Sequence, residues 1–255
     1  MSKTHPKIAV AQIRYFDIHK KNNIEKIKKY IKNAAKAEAD IVCFPESCLY
    51  KTETLHSDDE FLKEIKQECK KNSIWCIITE YFILRGKPYN LAILISREGK
   101  ITGTSKKIHL YGDSEKIKPG KKPRVFETDF AKIGIIICWD LAFPELFKKM
   151  KEAGAEIVFC PAEWGYSHHS KKAYKKTPKK QELRLLRSLV RTRAFENLFF
   201  IALCNPVEKR REKVLAYSAI CSPHRILKEI IDKEGLITAE LNLKEIEKFE
   251  KIYPK

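Results

Sequence analysis

Residues 133–145 (Ile-Gly-Ile-Ile-Ile-Cys-Trp-Asp-Leu-Ala-Phe-Pro-Glu) constrain this chain more than any other stretch. Ile133, Gly134 and the isoleucines at 135–137 read as a β-branched strand buried on both faces, as in the middle of a layered sheet. The run stops at Cys138. An amphipathic pattern (Leu146, Phe147, Met150) begins after Pro144, and proline fits the first turn of a helix. The order is strand, tight turn, helix, with a thiol in the turn. In α/β folds catalytic groups gather at the carboxyl ends of strands, where backbone N–H groups and helix starts meet developing negative charge. Cys138 is therefore a candidate nucleophile, although taken alone it reads equally as a buried structural cysteine.

Similar apolar runs recur along the chain. Strands are predicted at 7–13, 41–44, 74–82, 89–96, 101–106, 156–160, 198–203, 217–222, 226–231 and 235–241. Helices are predicted at 22–39, 61–71 and 181–195, with a last one from residue 243. In the first helix Ile24, Ile27, Ile31, Ala34 and Ala35 form one stripe, with lysines opposite. Residues 165–180 form a polar, basic loop with six lysines and the pair His168-His169. No repeat or Gly/Ser-rich hinge divides the chain, so one α/β domain over 1–255 is the simplest reading.

Two features at strand ends carry chemistry. The strand 41–44 runs into Pro45-Glu46, which places a carboxylate where a general base could work; a solvated helix-start glutamate is the competing reading. The strand 101–106 runs into Lys106-Lys107-Ile108-His109-Leu110. His109 reads as a structural histidine bonded to nearby backbone, given the intermediate burial typical of His.

Composition narrows the class. The chain has 51 Lys+Arg against 33 Asp+Glu, a formal charge of +18. Such a charge suits nucleic acid or an anionic membrane. The excess, however, is mostly Lys scattered along helices, without the interleaved aromatics that base stacking needs. It reads as solvated faces of a Lys/Glu-heavy chain. No apolar stretch approaches the roughly 18–20 residues that span a bilayer, and none precedes the first strand. The expectation is a soluble cytoplasmic protein with no membrane or nucleic-acid partner. The eight cysteines, among them Cys43, Cys76, Cys160, Cys204 and Cys221 in apolar runs, lack C-x-x-C spacing and suit buried thiols in a reducing compartment. The adjacent histidines lack an acidic or thiol ligand at helical spacing, so neither metal nor organic cofactor is expected.

Phe44-Pro45-Glu46, Lys107 two residues before His109-Leu110, Cys138-Trp139-Asp140 with Pro144-Glu145, and Arg193-Ala194-Phe195-Glu196-Asn197 occur in this order. Together they resemble the motifs of the nitrilase superfamily of carbon–nitrogen hydrolases, and the resemblance covers nearly the whole chain. Tyr89-Asn90 and Pro161-Ala162-Glu163-Trp164 are similar to further family segments. With the two β/α halves, the resemblance implies an α/β fold in four layers, an αββα sandwich of two mixed β-sheets flanked by helices.

It also implies a Glu–Lys–Cys triad of Glu46, Lys107 and Cys138. Period-2 alternation sets Lys107 and His109 opposite Lys106 and Ile108, which marks Lys106 as a decoy. Glu46 would accept and return protons, Cys138 would attack the carbonyl, and Lys107 with the Trp139 N–H would bind the oxyanion. An ammonium this close is expected to favour the Cys138 thiolate. Glu115 is the candidate accessory carboxylate, although Asp113 has the usual spacing to Pro119-Gly120. Trp164 would lie near the pocket mouth, and Glu196 and Asn197 would brace loops behind the nucleophile. Ala216 and His224 stand where relatives have glycines, which implies rebuilt turns.

The implied substrate is a small amide or N-carbamoyl compound. Cys-Trp-Asp is nearer the amidase and carbamoylase branches than the Cys-Trp-Glu of true nitrilases. Nitrile hydrolysis, or a catalytically silent relative acting as a binding module, is the alternative. The lysines of 165–180 suggest an anionic substrate or, equally, a solvated loop. A homodimer or higher homo-oligomer is expected from the resemblance.

Overall fold

Along β1 (Lys7–Gln12), Ile8 and Val10 point to one side and Ala9 and Ala11 to the other, and all four are fully buried. A strand buried on both faces must lie between two layers. The first pair joins an apolar cluster shared by two sheets; the second packs against helices. The computed structural model describes residues 3–14, 22–49, 59–111, 117–166, 178–207 and 214–253.

The first half continues with α1 (Ile24–Lys36), β2 (Ile41–Glu46), α2 (Glu60–Asn72), β3 (Trp75–Leu84), β4 (Lys87–Ile95) and β5 (Ile101–Lys106). Then come β6 (Arg124–Glu127), β7 (Lys132–Ile135), a 3-10 turn (Cys138–Ala142), α3 (Pro144–Glu152), β8 (Ile157–Pro161) and α4 (Lys179–Asn197). The chain closes with β9 (Phe200–Cys204), β10 (Tyr217–Cys221), β11 (Ile226–Ile231), β12 (Gly235–Glu240) and α5 (Lys244–Ile252).

The strand orders are β12-β1-β2-β3-β4-β5 and β11-β10-β9-β8-β7-β6. In each sheet three neighbouring strands run parallel, β1-β2-β3 and β7-β8-β9, and the outer strands add antiparallel. Parallel neighbours need crossovers, and α1, α2, α3 and α4 supply them. Ile24, Ile27 and Ile31 of α1 and Leu62, Ile65 and Cys69 of α2 cover the outer face of the first sheet. Each buried isoleucine is worth about 1.5–3 kcal/mol. Leu146, Phe147 and Met150 of α3 and Leu186 and Val190 of α4 join the cluster of the second sheet. The result is a four-layer αββα sandwich. No helix among the described residues is long and apolar enough to cross a membrane.

The elements follow the sequence pattern with local differences. The strand expected over 133–137 keeps its ladder only to Ile135. Ile136 still donates to the Phe159 carbonyl (3.0 Å), but the Ile137 N–H turns to the Asp140 carboxylate (3.2 Å), which begins the turn. β6 was not expected: its four residues, Arg-Val-Phe-Glu, are too short and too charged to show a period. α4 runs to Asn197, so the Arg-Ala-x-Glu-Asn block is its last turn. Neither Ala216 nor His224 takes a positive φ, so the turns expected to be rebuilt need no glycine there.

The edge strands β5 and β6 bring the sheets close at Gly103. A methyl group on Gly103 would lie 2.3 and 2.4 Å from ring atoms of Phe126. Gly103→Ala should therefore overpack this edge and cost about 1–3 kcal/mol, read as a lower urea midpoint at unchanged m-value. An unaltered midpoint would show that the two strands separate freely.

Candidate active site

Pro45 has no N–H to give to the β2–β3 ladder, and the register shifts between Cys43 and Glu46. Ser47 follows at φ 50°, in the left-handed region. The irregularity aims the Glu46 side chain into the seam between the sheets, where it is 3 % exposed. Its backbone N–H donates across the seam to the Ala162 carbonyl at the end of β8 (3.2 Å).

Lys107 follows β5 directly and is 4 % exposed. Its backbone N–H bonds to Asn90 O (2.9 Å), and its ammonium Nζ lies 2.9 Å from Glu46 Oε1. Asn90 Nδ2 donates to the same oxygen (2.6 Å), and the Glu163 N–H donates to Oε2 (3.1 Å). Burying both charges is expensive unless each is paired and hydrogen-bonded, and here both conditions hold. Lys106 points the opposite way, with its Nζ 3.5 Å above the Tyr89 ring.

Cys138 opens the 3-10 turn at φ 48°, a conformation that costs a non-glycine residue about 1–2 kcal/mol. Two clamps offset that strain. From one side the buried Asp140 carboxylate accepts the N–H groups of Ile137 (3.2 Å), Ile108 (3.2 Å) and His109 (2.7 Å). It thus ties the nucleophile turn to the segment that carries Lys107. From the other side Arg193 on α4 donates to the carbonyls of Leu141 and Ala142, at 3.1 Å each. Glu196 holds the Arg193 guanidinium (2.9 Å), and the Asn197 amide bonds back to the Arg193 carbonyl (3.0 Å). The brace expected of Glu196 and Asn197 is thus delivered by Arg193, with the other two steadying it.

His109 is structural, as expected, with a different partner. Its Nδ1 lies 3.1 Å from Asp140 Oδ1, and its ring stacks on Phe143 (centroids 3.4 Å apart, planes 5° apart). Burial pushes the Asp140 carboxyl up, and the backbone N–H groups of His109, Ile137 and Ile108 pull it down without offsetting that.

Cys138 lies in the field of both partners. Burial first, and the Glu46 carboxylate second, push its thiol well above the usual range; Lys107 and the Glu163 N–H pull it down without offsetting them. Burial first, and then Glu46, thus work against the thiolate expected from the ammonium alone.

Trp139, next to Cys138 in the chain, and Trp164, next to Glu163, form a wall of two packed rings. Their ring centroids lie 5.4 Å apart, and Tyr111 lies 5.1 Å beyond Trp139. The buried Trp164 donates its indole N–H to Glu182 on α4 (2.7 Å). Glu115, Asp113, His168, His169 and the lysines at 171, 172, 175 and 176 lie outside the described residues.

The family model described as carbon-nitrogen hydrolase matches residues 7–251. The chain belongs to the carbon-nitrogen hydrolase family. Omega-amidase NIT3 of Saccharomyces cerevisiae is 26% identical over 277 residues, covering 97% of this chain and 91% of that one. The 2-oxoglutaramate amidase of Bacillus subtilis is 29% identical over 238 residues, covering 88% and 85%. The crystal structure of Saccharomyces cerevisiae Nit3, a member of branch 10 of the nitrilase superfamily, matches with a TM-score of 0.84 at 24% identity, covering 99% and 97%. A mutant of the amidase from Nesterenkonia sp. AN1, showing covalent addition of the acetamide moiety of fluoroacetamide at the active site cysteine, matches with a TM-score of 0.80 at 16% identity, covering 97% and 96%.

Sequence reasoning on this carbon-nitrogen hydrolase left three residues without a role. In the sequence Asp140 is only a mark of substrate class. Asn90 was noted only as part of a motif. Glu182 belongs to no motif, although it precedes Leu186 and Val190 at helical spacing, on the buried stripe of an otherwise basic helix.

The raised Cys138 thiol predicts a labelling profile. At 8 % exposure Cys138 is the most open of the strand-end cysteines, and Cys43, Cys160 and Cys204 are fully buried. A group with a raised pKa is protonated at neutral pH, and only the thiolate attacks. Modification of Cys138 by methyl methanethiosulfonate should therefore accelerate about tenfold per pH unit from neutrality upward. A rate plateau below neutral pH would reveal a resting thiolate instead.

Proposed function

We propose that this carbon-nitrogen hydrolase cleaves the C–N bond of a small linear amide through a thioester on Cys138, with Glu46 and Lys107 completing the triad. The observation that carries the reading is the buried Glu46–Lys107 ion pair beside a strained, doubly clamped cysteine turn. A silent binding module has no use for such a pair, since two apolar residues would fill the seam at lower cost.

The chemistry follows from the geometry. Cys138 begins as a thiol, so attack on the amide carbon is coupled to transfer of its proton to Glu46. The carbonyl oxygen becomes an oxyanion held by the Lys107 ammonium and the Trp139 N–H. Trp139 sits in the first turn of the 3-10 segment, where an N–H has no partner within its own helix. Glu46 returns the proton to the departing nitrogen, the C–N bond breaks, and ammonia or an amine leaves the thioester. Glu46 then takes a proton from water as its oxygen attacks the thioester. The second tetrahedral intermediate collapses to a carboxylic acid, and Cys138 recovers its proton.

Amide hydrolysis is favoured over nitrile hydrolysis by the relatives, an omega-amidase and a 2-oxoglutaramate amidase. Asp140, which first suggested that preference, is engaged with backbone N–H groups and contributes little to it. An ω-amide of a small dicarboxylate is the first substrate to test. The protein is proposed to work as a cytoplasmic homodimer. Exposed apolar side chains on α4 and near the C-terminus (Leu185, Phe195, Ile252, Tyr253) would give the pairing a face to cover.

Substitutions separate the roles. Cys138→Ala should abolish turnover. Glu46→Gln should lower kcat by about 100- to 10,000-fold. Lys107→Met should lower kcat by about 100- to 1000-fold with a smaller change in KM, because the oxyanion appears only after binding. Lys106→Met should stay within about threefold of the parent, as a surface cation away from the chemistry. Each single change in the ion pair strands a buried charge and should cost about 3–5 kcal/mol of stability. The double variant Glu46→Gln/Lys107→Met should recover much of that stability and none of the activity. Full turnover by Lys107→Met, or loss of turnover in Lys106→Met, would refute the assignment.

A further inference from the structure

The wall beside the nucleophile is set from a distance. Trp164 has its backbone fixed at both ends: its N–H donates to Asn205 Oδ1 (2.7 Å), and its carbonyl accepts from Asn205 Nδ2 (3.1 Å) and from the Leu215 N–H (2.7 Å). What remains to be set is the direction of the indole. Its Nε1–H ends on Glu182 Oε1 at 2.7 Å, and both side chains are 5 % exposed. Carboxylates are seldom buried without a paired charge. Here the indole N–H is a charge-assisted donor, and the first turn of the α4 helix adds its positive end.

The indole so held packs against Trp139 (5.4 Å, 41°), the residue next to the nucleophile. On the backbone side it follows Glu163, whose N–H bonds to Glu46. Turning the Trp164 ring would therefore reshape the space beside the amide carbon while leaving the Glu46–Lys107 pair and the Cys138 turn in place. The opposite end of α4 already holds that turn through Arg193.

We propose that Glu182 is a specificity-determining positioning residue, which locks the Trp164 indole against Trp139 and thereby sets which acyl groups the site accepts. The inference rests on the amidase reading above and adds to it a residue that touches neither the substrate nor the reacting atoms. A tenfold change in affinity corresponds to about 1.4 kcal/mol.

The test compares Glu182→Leu, which removes the acceptor, with Glu182→Gln, which keeps one. Both are assayed on acetamide, propionamide, butyramide and isobutyramide, and their near-ultraviolet circular dichroism is recorded. Glu182→Leu should raise KM for the amide preferred by the parent by about tenfold or more, with kcat within about threefold. It should also flatten the ranking among the four amides. Its tryptophan dichroism should weaken toward that of Trp164→Phe, because the contact between the two indoles loosens. Glu182→Gln should restore the ranking and the dichroic band.

If Glu182→Leu does not fold, Trp164→Phe carries the test. It removes the indole N–H while keeping a ring, and should flatten the ranking in the same way. A parent-like ranking and band in a folded Glu182→Leu, with only the melting temperature lowered, would reduce Glu182 to a packing residue. So would a parent-like ranking in Trp164→Phe. The dichroism needs no turnover: a parent inactive on these four amides and on ω-amides of small dicarboxylates would refute the amidase reading, and the Glu182–indole coupling would still be measured.

Discussion

Two opposite charges out of water, Glu46 and Lys107, are the constraint on which the rest of this structure depends. A buried carboxylate or ammonium costs several kcal/mol even after relaxation, and attraction repays the cost only with good geometry and added hydrogen bonds. The fold supplies both. Glu46 comes from the end of β2, Lys107 from the end of β5, and their extra donors from Asn90 on β4 and from Glu163 beyond β8. The pair and its Asn90 donor are therefore set within the first sheet, and the second sheet adds the Glu163 donor that helps to bury them. A stable αββα sandwich could be built more cheaply without it, so on the proposed function the pair is a cost carried for chemistry.

That pair also decides how the cysteine works. A lone ammonium would draw the thiol toward thiolate, but an ammonium already neutralised by a carboxylate does so weakly, and burial wins. On the proposed mechanism the thiol is therefore activated when substrate arrives, by proton transfer to Glu46. The scaffold is rigid where this demands it. Asp140 ties the Cys138 turn to the Lys107 segment, and α4 holds the turn at one end and the Trp164 ring at the other.

Much of this was legible in the sequence because it depends on local pattern. Buried strands announce themselves as β-branched runs, and residues at their ends, such as Glu46 and Cys138, are marked by a proline or by the start of a helical period. The Lys106–Lys107 choice rests on the resemblance at His109-Leu110 and is supported by alternation, which the opposed environments of the two side chains match. What stayed hidden depends on partners far away in the chain. Asp140 is a strap only because Ile108 and His109 come to it. Glu182 meets Trp164 across a segment with no pattern of its own. The resting state of Cys138 follows from a balance among three groups that no spacing encodes. β6 was missed for another reason: four residues at a sheet edge, charged at both ends, carry too little period to be seen.

The claim that Cys138 is a neutral thiol made nucleophilic by Glu46 can be tested directly with intact-mass spectrometry of the quenched enzyme. The parent and Glu46→Gln proteins would be mixed with an amide substrate and with the corresponding activated ester. The account predicts an acyl adduct on Cys138 of the parent with either compound, at the mass of the substrate less its leaving group, and essentially none on Glu46→Gln with the amide. An adduct forming on Glu46→Gln with the amide at the parent's rate, or turnover by the parent with the acyl group on a residue other than Cys138, would contradict it.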